Sequence, residues 1–235
     1  MILLTLLWLF ACALPPQPEE GEVLTLSFCP EGLPCALVAD GQSLITVEGC
    51  VPDTVELVAD DLSLSLVTSG GAWIDGAQSS LTVPLGPDRC ARPALTAPTH
   101  GPDLLIEGSL AEVGVSASAR LTPASFGGLA LTPSPAILNT QSPNLIVLTV
   151  NAWGEDGASV SEGSLAAVTV QDSKGSDVVV SPSERLLDTD GEASFTVTSA
   201  GGLTELTLRV VLSAPAWEGV SRPTNLSEDL TLSGG

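Results

Sequence analysis

The chain has 235 residues, and its 28 Asp and Glu residues against seven Lys and Arg residues give a formal net charge of −21. Such a surface repels the phosphates of nucleic acids and the headgroups of anionic lipids, so both are excluded as partners. Hydrophobic residues make up 44% of the chain and aromatic residues only 3%, which predicts a core of Leu, Val and Ala. The acidity favours a solvated surface, with divalent-cation binding as the alternative.

The first thirteen residues indicate export. An apolar run, Ile2 to Phe10, is followed by Ala11, Cys12 and Ala13. The run is too short for a membrane-spanning helix, which needs about 20 apolar residues. We expect residues 1–11 to be a bacterial lipoprotein signal peptide, with Cys12 as the acylated first residue. Cleavage after Ala13 by an ordinary signal peptidase and an uncleaved anchor are the alternatives.

Residues 12–22 are predicted to form a tether, because Pro15, Pro16 and Pro18 keep the chain extended. At about 3.1 Å per residue such a tether holds the first domain roughly 30 Å from the lipid. Ala13 stands where many enteric bacteria place Asp to retain a lipoprotein in the inner membrane. We therefore expect an outer-membrane lipoprotein, and otherwise a secreted or periplasmic protein.

Four cysteines remain beside Cys12, namely Cys29, Cys35, Cys50 and Cys90. In an oxidising compartment an even number predicts two disulfides, with three possible connectivities. Their spacing does not match the paired Cys-x-x-Cys pattern of zinc sites. We favour Cys29–Cys35, because two prolines and a glycine between them form a turn, together with Cys50–Cys90.

The position of Cys50 argues against a bridge between two sheets. If Ile45 and Val47 face the core, Cys50 lies on the outer face or beyond the end of the strand. Its expected role is to fasten the proline-rich loop 86–102.

The dominant pattern after Val23 is strict alternation of aliphatic and small polar residues, as in half-buried antiparallel strands. The alternating segments are 62–66, 81–85, 113–121, 193–198 and 206–213. Beyond the signal no segment has a sustained helical period, so the fold class is all-β. Residues 123–128 form the best break and divide the chain into domains 23–122 and 129–235. Leu44, Leu64 and Leu105 map onto Leu145, Leu165 and Leu206 at one constant offset, which indicates weak self-similarity.

The chain offers little catalytic chemistry. Its single histidine, His100, lies in a proline-rich loop, and no Gly-x-Ser-x-Gly elbow is present. Tyrosine is missing altogether, so an aromatic-lined glycosidase cleft is not expected. We predict no catalytic residue, no enzyme activity and no cofactor.

Two further groups have competing interpretations. Asp188, Asp190 and Glu192 have the spacing of the first EF-hand ligands, but the distal bidentate Glu is missing. A structural turn explains them, with calcium binding as the weaker alternative. The tryptophans of the mature part are expected to plug the ends of a sandwich, with anchoring of a partner as the alternative; they are Trp73, Trp153 and Trp217.

Several motifs resemble a known family. Ala39–Ser43 resembles the opening of a bacterial Ig-like domain of the invasin/intimin type, Thr68–Ala72 its Gly-rich strand end, and Asp188–Ser199 its turn-into-strand pattern. At the position of the first motif the second half has Gln141-Ser142 instead of Asp-Gly. The resemblance implies two tandem immunoglobulin-like β-sandwiches that act as rigid spacer modules without catalytic residues.

These observations predict a non-enzymatic envelope lipoprotein in adhesion, spacing or protein–protein binding at the cell surface. Its partners would be the membrane, through the lipid on Cys12, and an unidentified protein or glycan. Two alternatives are a periplasmic structural subunit of an envelope or secretion assembly and a carbohydrate-binding module with a calcium-steadied loop.

Overall fold

The computed structural model describes residues 23–55, 62–75, 78–110, 113–218, 220 and 225–235. The predicted signal peptide, the predicted acylation site Cys12 and the predicted tether lie outside these residues. Within them a single 3-10 turn at Glu155–Gly157 is the only helical element, and no helix is long and apolar enough to span a bilayer. The alternating segments all form strands, which confirms the all-β prediction.

The described residues of domain 1 form eleven strands. They are β1 (Thr25–Phe28), β2 (Val38–Ala39), β3 (Leu44–Cys50), β4 (Ser63–Thr68), β5 (Ala72–Trp73), β6 (Ser80–Pro84), β7 (Cys90–Ala91), β8 (Ala94–Thr96), β9 (Asp103–Leu110), β10 (Val113–Arg120) and β11 (Thr122–Pro123). One sheet has the order β1-β3-β8-β5, with β7 also beside β3, and the other has the order β10-β9-β4-β6. The short strands β2 and β11 pair in parallel.

In domain 2 the part of the chain that the structure describes forms eight strands. They are β12 (Phe126–Ser134), β13 (Leu145–Gly154), β14 (Leu165–Lys174), β15 (Val178–Ser181), β16 (Glu184–Leu186), β17 (Glu192–Ser199), β18 (Glu205–Ser213) and β19 (Leu226–Ser233). Its sheets have the orders β12-β13-β17-β15 and β16-β14-β18-β19. These orders repeat those of domain 1 when β3 is matched with β13, β4 with β14 and β9 with β18. The chain is therefore a tandem repeat of one topology.

Each domain has its own aliphatic core, as the composition predicts. In domain 2 Phe195 is 1% exposed and lies opposite Leu148 in the β13–β17 pair. In domain 1 Trp73 is fully buried, and its indole Nε1 donates to the carbonyl of Ser79 at 3.2 Å. Burial of these side chains stabilises a sandwich by about 1.5–3 kcal/mol each.

The constant offset between the halves holds in the first long strand of each domain but is wrong from the second long strand onward. Leu44 and Leu145 are both exposed, as equivalent residues should be. However, Leu64 is buried whereas Leu165 is only half-buried, and the buried counterpart in β14 is Ala166. Since side chains alternate between the faces of a strand, this one-residue difference exchanges the inward and outward sets. The segment before β14 has therefore gained one residue.

Both favoured disulfides are present, and each lies within one sheet. Cys50 at the end of β3 pairs across the ladder with Cys90 of β7, so the bridge fastens the loop that contains β7, as expected. The Cys29–Cys35 bridge closes the short loop that follows β1. The amide of Cys29 donates to the carbonyl of Thr46 at 3.0 Å, and Cys35 pairs again opposite Ile45.

The connection between the domains is shorter than the predicted linker 123–128. Pro123 belongs to β11 and Phe126 begins β12, so only Ala124 and Ser125 lie between strands. Because the connection has only two residues, the domains have little freedom to reorient, and the contacts between them determine their relative orientation.

Candidate functional site

The contact between the domains is centred on a buried hydroxyl group. Ser161 of domain 2 is 1% exposed, and its Oγ donates to the carbonyl oxygen of Ala39 in domain 1 at 2.6 Å. The same Oγ accepts the amide hydrogen of Ala124 at 2.7 Å. Removing the hydroxyl would leave a buried carbonyl and a buried amide unpaired, at a cost of about 1–3 kcal/mol. The hydroxyl therefore fixes the two domains to each other.

The loop that carries Ser161 is held in shape by its own neighbours. Ser164 is also buried, and its Oγ and amide both donate to the carbonyl of Ser161, at 2.7 and 3.1 Å. One residue further, the amide of Glu162 donates to the carbonyl of Thr99 in domain 1 at 2.6 Å. The internal hydrogen bonds of the loop therefore fix its conformation where it contacts the end of domain 1.

An acidic groove of about 420 Å³ runs beside this contact, between Asp40 of domain 1 and Glu155 and Asp156 of domain 2. The Asp40 carboxylate is already used in its own turn. Its Oδ1 accepts the amides of Gln42 and Ser43 at 2.9 and 2.7 Å, and its Oδ2 accepts the Ser43 hydroxyl at 2.6 Å. Asp40 therefore shapes the end of domain 1 that receives domain 2.

Domain 2 builds the same turn with a different residue. Asn139 Oδ1 accepts the amides of Gln141 and Ser142 at 2.9 and 3.0 Å. The sequence motif does not predict this turn, because Gln141-Ser142 stands at the position of Asp-Gly, whereas the capping side chain of Asn139 lies two residues before Gln141. An Asn two residues before the expected position was the available signal, since Asn and Asp make the same turn.

The polar groups at this end of domain 2 are satisfied by Asn144, which is buried. Its Oδ1 accepts the amide of Asn139 at 2.6 Å, and its Nδ2 donates to the carbonyl of Asn139 at 3.0 Å and to Ser199 Oγ at 3.2 Å. Ser199 Oγ in turn donates to the carbonyl of Gly201 at 2.6 Å. The end of domain 2 is therefore closed by its own hydrogen bonds.

Apolar side chains nevertheless remain uncovered there. Ile137 is 65% exposed and Leu145 is 64% exposed. Together with Pro135, Pro143 and Gly235 they line one groove, which we call the distal surface; every side chain of this groove is uncharged. In a chain with a net charge of −21, an uncharged surface with exposed aliphatic groups is a candidate interaction site.

The three tryptophans in the described part of the chain have three different environments. Trp73 is fully buried in the end of its sandwich, as predicted from the sequence. Trp153 does not plug the sandwich: it is 38% exposed and its indole lies over Gly128, where a Cβ would come within 2.5 Å of Trp153 Cζ2. Trp217 follows β18 in domain 2 but packs against the core of domain 1, so it belongs to the contact between the domains.

The residues considered for calcium serve a turn. Asp188 Oδ1 accepts the amides of Asp190 and Glu192 at 3.0 and 2.8 Å, and Gly191 adopts a φ of +78°. In the part of the chain that the structure describes, the one group of potential ligand atoms close enough to share an ion comprises Glu48, Cys50 and Cys90. Both sulfurs of that group are in a disulfide.

An arginine reinforces the disulfide loop of domain 1. Arg92 contacts Asp88 and Glu48, with nitrogen–oxygen distances of 2.6 Å to each. The hydrogen bond from Arg92 lowers the pKa of the Asp88 carboxyl below its ordinary value. In domain 2 the hydrogen bond from Arg209 likewise lowers the pKa of Asp229. Glu48 is half-buried and the other groups are exposed, so salt screens these pairs and they orient loops and strands more than they stabilise them.

Comparison with known proteins shows what the fold is similar to. No family profile and no curated protein sequence matches the chain. The structure of invasin, a bacterial integrin-binding protein, superimposes with a TM-score of 0.58 and 17% identity, covering 90% of this chain and 39% of that one. The adhesin InvE of Yersinia pseudotuberculosis superimposes with a TM-score of 0.56 and 16% identity, covering 90% of this chain.

The chain spans 58% of the InvE structure and 39% of the invasin structure. At such low identities the similarity concerns the fold. It confirms the fold that the sequence motifs imply: the chain consists of tandem β-sandwich domains with the bacterial Ig-like fold of the invasin type.

Proposed function

We propose that this protein is a non-enzymatic module of the cell envelope that acts in adhesion and holds its distal surface away from the membrane. The observation that carries the proposal is the buried Ser161 hydroxyl between Ala39 and Ala124, because it joins two Ig-like domains into one stiff unit. Stiffness is what a spacer needs to keep a binding surface at a fixed height. The adhesin InvE, which shares the fold, supports this role class.

The direction of the unit follows from the proposed anchor. A lipid on Cys12 attaches the chain at its N-terminal side, and the proline-rich tether separates domain 1 from the bilayer. Ser161 lies at the end of domain 2 that contacts domain 1, whereas the distal surface around Ile137 lies at the other end. Attachment to the outer membrane then points the distal surface away from the lipid.

The described polar side chains also support a non-enzymatic role. Cys29, Cys35, Cys50 and Cys90 are all in disulfides. The buried hydroxyls of Ser161 and Ser164 are bound to backbone groups. These potential nucleophiles are therefore structural.

A bead assay tests the function directly. Beads coated with residues 13–235 through the N-terminal side should adhere to producing cells or to a matrix-coated surface. Beads carrying the same protein after heat denaturation are the control, because they have equal charge but no folded surface. Adhesion no better than this control contradicts the proposal. Stoichiometric co-purification with envelope proteins would favour the structural-subunit alternative, and a chelator-sensitive glycan-array signal would favour the carbohydrate-binding one.

A further inference from the structure

The Cys50–Cys90 disulfide of domain 1 lies beside a carboxylate. Among the residues that the structure describes, Glu48, Cys50 and Cys90 are the one group of potential metal ligands whose ligand atoms all lie within 4.8 Å of one another. Glu48 and Cys50 are two residues apart on β3 and therefore point to the same face, and Cys90 of β7 lies directly opposite Cys50. All three side chains are half-buried, so solutes can reach them. The fold thus brings a carboxylate beside two sulfurs whose cysteines are 40 residues apart in the chain.

Two backbone hydrogen bonds hold β7 beside β3 independently of the covalent bond. On one side of the bridge the amide of Val51 donates to the carbonyl of Arg89 at 3.0 Å. On the other side the amide of Val47 donates to the carbonyl of Pro93, also at 3.0 Å. Opening the disulfide therefore leaves two thiol groups side by side on one face of the sheet.

We propose that Glu48, Cys50 and Cys90 form a zinc site once the disulfide is reduced. The reductant is a dithiol: it transfers two electrons to the sulfur–sulfur bond, becomes a cyclic disulfide itself, and leaves a protonated thiol on each cysteine. Zn²⁺ then binds both sulfurs as thiolates, and the two thiol protons pass to water. The strands β3 and β7 are thus joined covalently in the oxidised protein and by the metal in the reduced protein. This inference does not depend on the adhesive function.

The ligand set selects zinc. Two thiolates and one carboxylate, with a water molecule as the fourth ligand, give the tetrahedral coordination that Zn²⁺ prefers. Zinc–sulfur bonds of about 2.3 Å and zinc–oxygen bonds of about 2.0–2.2 Å put tetrahedral ligand atoms about 3.5–4 Å apart. The three side chains already come within this range of one another, since their ligand atoms lie within 4.8 Å. Calcium and magnesium take oxygen ligands and are therefore not expected at two thiolates.

One neighbouring cation competes with the metal. In the oxidised protein Arg92 Nε lies 2.6 Å from a carboxylate oxygen of Glu48, and Arg92 Nη1 lies 2.6 Å from Asp88. The metal must displace Arg92 from Glu48, whereas the contact with Asp88 can remain. The guanidinium of Arg92 is exposed to solvent, and such ion pairs are weak, so the displacement costs little.

Cobalt(II) is the probe for the test, because it occupies zinc sites and its absorption bands report thiolate ligands. Residues 13–235 contain every described residue and, of the cysteines, only the four that form disulfides. This protein is reduced without oxygen by a water-soluble phosphine, which becomes a phosphine oxide by taking oxygen from water, and the phosphine is then removed. We expect one Co²⁺ per chain, with a thiolate-to-cobalt charge-transfer band and the intense visible bands of tetrahedral Co²⁺. Zn²⁺ should displace the cobalt and raise the melting temperature of the reduced domain 1. The oxidised protein should show neither the bands nor the shift.

Matched variants locate the site. Glu48→Gln keeps the size of the side chain and should raise the dissociation constant for Co²⁺ by about tenfold or more, since even groups that only support metal ligands are worth about 10- to 100-fold. Cys50→Ser combined with Cys90→Ser should abolish the charge-transfer band. Cys29→Ser combined with Cys35→Ser is the control and should preserve both the band and the constant. In the described part of the chain, no carboxylate oxygen lies within 4.8 Å of both sulfurs of that second bridge.

Four results would overturn the inference. A reduced protein without the charge-transfer band has no such site, and neither has a reduced domain 1 that stays unfolded at saturating Zn²⁺. A band that survives the combined Cys50→Ser and Cys90→Ser changes arises elsewhere. An unchanged dissociation constant in Glu48→Gln removes the carboxylate from the ligand set. Circular dichroism of the oxidised Glu48→Gln protein should match that of the parent protein, which ensures that a weaker constant does not reflect misfolding.

Discussion

Ser161 of domain 2 and Ala39 of domain 1, 122 residues apart in the chain, are joined by a buried hydrogen bond of 2.6 Å. The hydroxyl that donates this bond also accepts the amide of Ala124. One side chain thus satisfies two buried backbone groups at the point where the domains meet. The consequence is a fixed arrangement of two domains that are connected by only two residues.

Replacing this hydroxyl should loosen the contact between the domains without unfolding either of them. Ser161→Ala leaves the carbonyl of Ala39 and the amide of Ala124 unpaired, which should cost about 1–3 kcal/mol. In calorimetry the two domains of the variant should melt less cooperatively than those of the parent protein. The domain that depends more on the contact should melt at a lower temperature than it does in the parent protein. Ser159→Ala, a neighbouring half-buried serine, is the control; an equal effect of both variants would contradict the role of Ser161.

Reduction should destabilise domain 1 and leave domain 2 nearly unchanged, because both disulfides lie in domain 1. The Cys50–Cys90 bridge spans 40 residues, and a loop of that length contributes about 3–4 kcal/mol in the chain-entropy model. Hydrogen exchange with and without reductant measures each domain separately. Free thiols in the exported native protein, or equal loss of protection in β17, would argue against this assignment.

Lipidation of Cys12 is a separate prediction, motivated by the apolar run before that residue. Cys12→Ser should release the protein from membranes and abolish labelling by a radioactive fatty acid such as palmitate. Fractionation and labelling of both forms check it. A wild-type protein that carries no label, with fractionation unchanged by the substitution, would rule out the anchor.

The register of β17 can be tested through adjacent residues. Phe195 is buried in the core, and few neighbouring aromatics can replace its volume. Phe195→Ala should therefore cost about 3–5 kcal/mol. Thr196 lies on the outer face beside Val147. Thr196→Ala should therefore lower the free energy of unfolding by well under about 1 kcal/mol. Urea melts of both variants, followed by tryptophan fluorescence, measure the two costs. Equal costs, or the reverse order, would mean that the strand register is misassigned.

The sequence was sufficient to predict the strands and the disulfides, because both depend on local patterns. Alternation places Phe195 inward and Thr196 outward, and a turn between Cys29 and Cys35 brings these cysteines together. It could not reveal Ser161, because a buried serine and an exposed serine look the same in sequence. It also misassigned Trp153 and Trp217, since an indole can cover a glycine or a neighbouring domain as readily as it fills a core.

The central claim, that the two domains form one stiff unit, is tested most directly by the distance distribution between them. Pulsed electron paramagnetic resonance measures this distance between spin labels at Glu107 of domain 1 and Thr198 of domain 2. Both residues are exposed; Glu107 lies in the middle of β9 and Thr198 near the end of β17. We predict a single narrow distribution. A Gly-Ser insertion between Ala124 and Ser125 is the control and should broaden it. A distribution in the parent protein as broad as that of the insertion variant would contradict the claim.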